Sequence, residues 1–210
     1  PMKLAILGAS AGVGLEAVRY ALERGHDVTT LSRSIESLPS HPRLTVVQGS
    51  SLKDADVRRA VAGADTILVA LGSGNSTKAT TLHTDSSKVL MGVLKDTGAD
   101  PPLVILTGFG AGDSWDYNPP LMKLMFTFLL KDIYRNKAEM ERMVAASGRR
   151  WTIVRAGRLT NGPRTGVYRV LTKLERGMRV GAISRADTAH FMVSEAEQPK
   201  CTGLYPALTY

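Results

Sequence analysis

Cysteine, aromatic residues and long apolar runs are all scarce in this 210-residue sequence. Cys201 is the single cysteine, which excludes a disulfide framework and a site built from several thiolate metal ligands. The most apolar stretch, LMKLMFTFLL at 121–130, is about half as long as a membrane-spanning helix and contains Lys123. The histidines are scattered without metal-ligand spacing. We therefore predict no metal site and no membrane segment, and we expect a cytoplasmic protein.

Acidic residues are outnumbered, because 27 Lys and Arg stand against 19 Asp and Glu. The excess is concentrated between Arg149 and Arg185, where Glu175 is the only acid. These basic residues are spread over strand-like and loop-like segments, and aromatic residues do not alternate with them. We therefore expect no nucleic-acid partner. An anionic small ligand explains the excess, and a solvated basic face is the alternative.

Short apolar runs alternate with helical patterns along most of the chain. Six strands are predicted, from KLAIL at 3–7 to RWTIVRAG at 150–157, with helices at about 12–24, 54–62, 80–97, 135–147 and 185–196. Strands that are apolar on both faces are typical of a parallel sheet covered by helices on both sides. The predicted fold is therefore α/β, a doubly wound parallel sheet forming one domain over 1–210. Residues from about 162 onward are expected to add a small substrate-facing lobe.

The first predicted strand leads into GASAGVG at 8–14, a glycine-rich turn followed by a helix. Its spacing differs from G-x-G-x-x-G, but the order of strand, turn and helix is that of a dinucleotide-binding unit. Gly8 would end the strand, Gly12 would let the backbone approach a pyrophosphate, and Gly14 would let the helix pack on the strand. Ser10 would donate to a phosphate, and Val13 belongs to the same turn. A tight connection without a ligand is the alternative.

No acidic residue ends the second predicted strand, DVTTLSR, which Ser34 follows. Proteins that bind NAD usually place Asp or Glu there, where it binds the 2′-hydroxyl of the ribose. Here Arg33 follows Ser32, and an arginine can neutralise a 2′-phosphate and stack on adenine. NADPH is therefore the predicted cofactor, and an arginine that simply faces water is the alternative.

Further cofactor contacts are predicted where other strands end, because ligands lie across the carboxyl ends of the strands in this fold. Three strand ends and one helix supply them: Ser50, Ser51 and Leu52; Ala70, Leu71 and Gly72, with the loop GSGNS at 72–76; Thr107 and Gly108; and Lys137. Thr107 would contact the nicotinamide or the substrate, unless it only caps its strand. Lys137 would contact the cofactor ribose, unless it is an exposed helix residue.

The apolar stretch 121–130 lies between the fifth strand and the next helix, at the ligand end of the predicted sheet. Met122, Met125, Phe126 and Phe128 are predicted to form an adaptable wall for a planar apolar substrate. Trp115 and Tyr117, just upstream on a predicted loop, would close over the nicotinamide. A packed helix or a contact between two copies of the chain is the alternative.

Together these segments resemble the atypical short-chain dehydrogenases of the NAD(P)H-binding, NmrA-like group. The likeness is carried by GASAGVG, LSR, LVALGSG, VILTG, ASGRRWTIVRAGRLT and ISRADTAHFMV. Within that group the chain is most similar to the biliverdin reductase B, or flavin reductase, branch. The resemblance implies an NAD(P)-binding Rossmann domain, a monomer or weak homodimer, that reduces flavins or related planar molecules such as quinones and tetrapyrrole-like compounds.

The sequence departs from the catalytic residues of these relatives. The Y-x-x-x-K pair of ordinary short-chain dehydrogenases is absent, since Tyr134 and Lys137 are only three positions apart. The serine and histidine positions of the flavin reductase branch correspond to Gly108 and Arg158. Arg158 and Thr107 are the predicted catalytic residues. Arg158 would act through its charge; a salt bridge or a contact with a cofactor phosphate is the alternative role of Arg158. Two functions remain open: an NADPH-dependent reductase, and an NADP(H)-binding redox sensor without robust catalysis.

Overall fold

The computed structural model describes residues 1–72 and 80–210, so residues 73–76 of the predicted GSGNS loop lie outside the described part. The strands are β1 Lys3–Leu7, β2 Asp27–Ser32, β3 Leu44–Gln48, β4 Thr66–Val69, β5 Leu103–Gly108, β6 Trp151–Ala156, β7 Arg158–Thr160, β8 Arg169–Leu171, β9 Ala182–Ser184 and β10 Ala207–Thr209. The helices are α1 Gly12–Glu23, α2 Asp54–Val61, α3 Leu82–Thr97, α4 Pro120–Leu129, α5 Lys131–Ala145 and α6 Arg185–Glu197. A 3₁₀ helix covers Gly112–Tyr117, where the sequence predicts a loop.

The main sheet confirms the predicted doubly wound fold. Its eight strands lie in the order β3-β2-β1-β4-β5-β6-β10-β8. The pairings from β3 across to β10 are parallel, and β8 pairs antiparallel with β10 at the edge. The chain reverses its direction of travel across the sheet between β1 and β4. Ligands bind at such a reversal in open α/β sheets.

Both faces of the sheet are buried, because successive side chains of a strand point to opposite sides. On β1, Leu4 and Ile6 pack into a core shared with α1 and α6. Ala5 and Leu7 pack into a second core with α2, α3 and α5. This double burial explains why the strands read as continuous apolar runs rather than as alternating ones.

The segment after residue 162 is built into the same fold. Strands β10 and β8 extend the main sheet beyond β6, and α6 packs against α1. A second small sheet pairs β7 with β9 in parallel. The substrate-facing role expected for this segment stays a prediction.

The apolar stretch 121–130 forms helix α4, which has apolar side chains on two faces. Phe126 is buried and stacks on Tyr134, with 4.7 Å between the ring centroids. On the other face, Leu121 and Phe128 are 75% and 77% exposed, and Leu124 is more than half exposed. A contiguous exposed apolar stripe of this kind is typical of an interaction surface.

Among the described residues, no helix is long and apolar enough to cross a membrane.

Phe128→Glu tests the alternative that α4 is a contact between two copies of the chain. If the chain forms a weak homodimer rather than a monomer and uses this face, the substitution should raise the dissociation constant by about tenfold or more, because a charge would be buried in an apolar contact. Sedimentation equilibrium over a range of concentrations measures it, against a protomer of 22.6 kDa. Val167→Glu is the matched control, since Val167 is also 77% exposed. A wild-type chain that stays monomeric throughout would contradict the dimer.

Candidate active site

A cleft of about 720 Å³ runs across the carboxyl ends of β1 to β5. It is lined by Gly8, Ser10, Ala11, Gly12, Val13, Leu31, Ser32, Arg33, Ser34, Gly49, Ser50, Ser51, Leu52, Ala70, Leu71, Gly72, Leu82, Leu106, Thr107, Lys137, Leu159 and Arg185. Among the described residues, the set includes every residue predicted to bind the cofactor except Gly14 and Gly108. Three side chains in this described lining are cationic and none is acidic. The cleft therefore suits a large anionic ligand.

The glycine turn has the backbone that its sequence suggests. Gly8 and Gly12 adopt φ angles of +88° and +59°, which favour glycine. A side chain on Gly8 would also meet the carbonyl oxygen of Ala70 at 2.7 Å. Gly14 does not line the cleft, because it lies against the backbone of Gly8, where a Cβ would collide with the carbonyl oxygen. The helix and strand can approach this closely only with glycine at that position.

The N-terminus of α1 opens into the cleft, since Ala11, Gly12 and Val13 line it. Its N-cap residue, Ala11, offers no side-chain cap, and the first turn contains no acidic residue. The side chain of Arg185, from the start of α6, lies over Gly12, with its Cδ 3.8 Å from where a Cβ would stand. An Nη1 hydrogen bond to Asn161, 2.9 Å long, holds the guanidinium there. A helix N-terminus beside an arginine is a fitting site for a pyrophosphate.

Arg185 lines the cleft, although the sequence pattern does not predict it there. The sequence feature nearest to Arg185 is the segment ISRAD, in which Ser184 caps α6 by accepting a hydrogen bond from the Asp187 N–H. This capping pattern marks the start of a helix. It does not reveal that the helix begins beside the glycine turn, which is more than 170 positions earlier in the chain.

The ends of β2 and β3 form the other wall of the cleft. The Ser32 hydroxyl accepts a hydrogen bond of 3.2 Å from the Ala9 N–H, which ties the glycine turn to the end of β2. Arg33 is exposed, and it forms no salt bridge with any acid in the described ranges. Behind the wall, Asp56 accepts the Ser50 N–H at 2.9 Å, and this hydrogen bond holds the pKa of Asp56 below its usual value. The loop after β3 is thereby fixed, while the Arg33 guanidinium is available to a ligand.

Thr107 and Lys137 line the opposite end of the cleft. The Thr107 hydroxyl donates to Glu141 at 2.9 Å. The Lys137 Nζ lies 5.0 Å from the centroid of the Tyr134 ring. Burial lowers the pKa of Lys137 to about 8, opposed by the nearby Glu141 carboxylate. The ammonium is therefore a desolvated cation beside the cleft.

His83 is a buried titratable group next to this end of the cleft. Desolvation, reinforced by the charge of Lys137, lowers the pKa of His83 to about 4, so its imidazole is neutral at ordinary pH. Within the described ranges its Nε2 has no hydrogen-bond partner. The neutral ring adds no charge that would compete with Lys137 for an anionic ligand.

Several predicted site residues are not brought to the cleft. Arg158 begins β7, is exposed, and is absent from the described lining. Trp115, Met122, Met125 and Phe126 are absent from it too; the Phe126 ring packs between Trp115 and Tyr134 instead. The described residues of α4 do not line the cleft, and a contact between α4 and a substrate stays a prediction.

Gly108 lies beside Tyr134 rather than on the surface of the cleft. A Cβ at this position would be 3.0 Å from the Tyr134 hydroxyl oxygen. The tyrosine thus fills the space that a side chain at position 108 would need. Burial raises the pKa of Tyr134 to about 12, so its hydroxyl stays protonated.

Lys137→Met is expected to stabilise the protein near neutral pH while weakening its hold on an anionic ligand. The folded-state pKa of about 8 lies below the ordinary value of 10.5, so folding disfavours the protonated form. Below pH 8 the lysine is protonated in both states and the full cost is present; it disappears above the ordinary pKa. We expect a gain of ~1–3 kcal/mol in the free energy of unfolding at pH 7 that fades as the pH rises from 8 toward 10.5.

Denaturant titrations of the wild type and Lys137→Met at a series of pH values measure this gain. Lys88→Met serves as the control, since Lys88 is exposed on α3. A gain that is the same at pH 7 and at pH 10.5 would contradict the assignment of a desolvated ammonium to Lys137.

The sequence profile of the NAD(P)H-binding family matches residues 8–199, nearly the whole chain. The chain belongs to the NAD(P)H-binding family. Its cofactor is thus an NAD(P)H dinucleotide, as the glycine turn predicts. Two observations on the described residues fit the family's cofactor: the N-terminus of α1 has no side-chain cap and lies beneath Arg185, and the cleft lining is cationic without an acid.

Solved structures of several bacterial proteins share this fold. The ChuY anaerobilin reductase from Escherichia coli O157:H7 is 21% identical, with a TM-score of 0.80 over 99% of this chain and 96% of that one. A short-chain dehydrogenase/reductase from Veillonella parvula, in complex with NADP, is 16% identical, with a TM-score of 0.83 over 100% and 94%. A candidate NADH-flavin reductase from Streptococcus pneumoniae is 22% identical, with a TM-score of 0.79 over 100% and 99%. At these identities the likeness shows the fold alone.

A curated relative matches a shorter part of this NAD(P)H-binding chain. The 3-beta-hydroxysteroid dehydrogenase of Mycolicibacterium neoaurum is 45% identical over 65 residues, which is 31% of this chain. The match spans 18% of that dehydrogenase's length. The likeness therefore covers less than a fifth of that dehydrogenase.

Proposed function

We propose that this chain is an NADPH-dependent reductase that transfers a hydride from the nicotinamide to a flavin or a similar planar substrate, such as a quinone or a tetrapyrrole-like compound. The observation that carries the proposal is the cleft, whose described lining contains no acid and has Arg33 at one end and Thr107 and Lys137 at the other. The anaerobilin reductase and the candidate flavin reductase that share the fold support reductase chemistry.

The dinucleotide would be held by charges and N–H groups that the cleft already presents. Arg33 and Ser34 bind the 2′-phosphate, because no carboxylate stands at the end of β2 to repel it. The first turn of α1 and the guanidinium of Arg185 bind the pyrophosphate. Ser50 and Leu52 flank the adenine.

The other end of the cleft orients the reacting ring. When bound, NADPH supplies the hydride that the reduction needs. Thr107 forms a hydrogen bond to the nicotinamide end, and Lys137 carries a proton on Nζ at neutral pH, close enough to the cleft to offset negative charge. Because flavin reduction is mainly a matter of holding two rings together, orientation by the protein is the larger contribution.

The test is NADPH oxidation with a panel of flavins, quinones and carbonyl compounds, run as single turnovers with excess acceptor. We expect turnover with at least one planar acceptor. Tight NADPH binding without turnover of any of these compounds would overturn the reductase proposal. It would favour the second candidate, a redox sensor that binds NADP(H) and regulates a partner.

One observation favours the sensor. The predicted substrate wall and Arg158 do not line the cleft among the described residues, which supports a role in cofactor binding more than a role in substrate turnover. The same panel separates the two candidates, because only the reductase consumes NADPH.

Arg158→Met and Arg185→Met separate a role in chemistry from a role in cofactor binding. Arg158→Met should slow single-turnover hydride transfer by about 3- to 10-fold without changing the affinity for NADPH, since the charge of an exposed arginine is screened by solvent. Arg185→Met should weaken NADPH binding by about tenfold, because it removes a charged hydrogen-bond donor from the pyrophosphate site. Unchanged turnover in Arg158→Met would remove Arg158 from the mechanism.

A further inference from the structure

Thr107 is the polar residue that β5 contributes to the cleft lining, and its hydroxyl proton is already committed. Thr107 is 3% exposed. Its Oγ1 donates to Glu141 Oε2 at 2.9 Å and also lies 3.4 Å from the carbonyl oxygen of Val154. Both neighbours are acceptors, so neither offers a proton to the threonine oxygen.

Glu141 is held as a carboxylate by a buried arginine. Arg155 Nε donates to Oε2 at 3.0 Å, and Nη2 donates to Oε1 at 2.9 Å. Glu141 and Arg155 are 3% and 2% exposed, and a salt bridge of 2.7 Å to Asp113 engages the remaining guanidinium nitrogen. Both Glu141 oxygens therefore accept from Arg155, and a carboxylate can only accept hydrogen bonds.

The direction of the Thr107 hydrogen bond is therefore fixed from behind. A hydroxyl has one proton to donate and two lone pairs that accept. Since the proton points to Glu141, only lone pairs are left for a group in the cleft. A ligand atom that meets Thr107 must bring its own N–H or O–H.

We infer that Thr107 acts toward the cleft solely as a hydrogen-bond acceptor, that the group it receives is the carboxamide N–H of the nicotinamide, and that Glu141 is the positioning residue that sets this polarity. The inference rests on the cofactor orientation in the proposed function. A carboxamide supplies two N–H donors, whereas a carbonyl or carboxylate in its place would set oxygen against oxygen. The same polarity discriminates against dinucleotides without that amide.

Binding of NADP⁺ and of its 3-acetylpyridine analogue, which replaces the amide NH₂ with a methyl group, tests the inference by calorimetry. The wild type should prefer NADP⁺ by about 3- to 10-fold, the effect of one hydrogen bond. Thr107→Val keeps the shape and removes the acceptor, so the preference should fall to about one. Thr107→Ser should restore it.

Glu141→Gln loosens the polarity, because an amide at this position can donate as well as accept and no longer fixes the threonine proton on residue 141. Arg155 still favours an amide oxygen next to Thr107, so we expect the preference for NADP⁺ to shrink in that variant. Asp113→Asn is the matched control: it removes the other carboxylate on Arg155, leaves Thr107 untouched, and should keep the wild-type preference. If Glu141→Gln does not fold, the valine and serine variants still decide the question.

Two results would overturn the inference. One is a wild type that binds both dinucleotides equally well; the other is a preference that survives in Thr107→Val. Failure of the wild type to bind NADP⁺ at all would overturn the proposed function as well, so the two failures are distinguishable.

Discussion

Replacing Arg33 with alanine is expected to weaken NADPH binding by about 10- to 100-fold and to leave NADH binding nearly unchanged. The reason is that Arg33 lines the cleft at the end of β2, where proteins that use NAD have an acid, and pairs with no acid in the described ranges. Its charge is therefore free to meet a 2′-phosphate, a group that NADH lacks.

Titration of both dinucleotides by calorimetry measures the effect. Arg19→Ala is a suitable control, because Arg19 is a half-exposed arginine on α1 that pairs with Glu16 outside the cleft. Low ionic strength should enlarge the difference between NADPH and NADH, since an exposed charge is screened by salt. Equal loss of NADPH and NADH affinity in Arg33→Ala, or a wild type that prefers NADH, would contradict the assignment.

Gly14→Ala is expected to lower the free energy of unfolding by about 3 kcal/mol or more and to abolish dinucleotide binding. The added Cβ would occupy the same space as the carbonyl oxygen of Gly8, and backbone atoms on both sides leave no flexible side chain to give way. Helix α1 would have to move away from β1. Its N-terminal N–H groups would then leave the place where the pyrophosphate binds.

Gly92→Ala provides the opposite expectation within the same protein. Gly92 lies inside α3, and an added Cβ there would meet nothing within 4 Å. Alanine is the better helix former, so this change should raise the free energy of unfolding by about 0.5–1 kcal/mol. Urea titration of both variants measures the contrast. Equal effects of the two substitutions would show that Gly14 is not a point of close approach.

Local sequence predicts much of the cofactor half of the site. A residue just after the carboxyl end of a parallel strand is predicted to lie at the ligand edge of the sheet, and this holds for the turn glycines, for Arg33 and for the residues after β3 and β4. The strand and helix bounds also follow from local patterns, and the predicted bounds differ from the observed ones mostly by one or two residues. An exception is α5, which begins at Lys131, about one turn before its predicted start.

The substrate half is less predictable because it depends on how separate elements pack. The apolar pattern of 121–130 is equally compatible with a wall, a packed helix or a contact surface, and the pattern does not tell which face of α4 turns inward. In the structure Phe126 turns inward onto Tyr134, while Phe128 turns to solvent. Similarly, Arg158 follows β6 in sequence, but β7 turns away into the small sheet with β9.

The sequence by itself determined the doubly wound fold, the position of the dinucleotide turn and the absence of an acid at the end of β2. These features depend on the periodicity and spacing of residues within short segments, so they do not depend on how distant segments pack. Only the tertiary structure placed Arg185 over Gly12 and fixed the Thr107 proton on Glu141. These contacts join residues that are 173 and 34 positions apart, so their geometry is set by the packing of α6 on α1 and of α5 against β5.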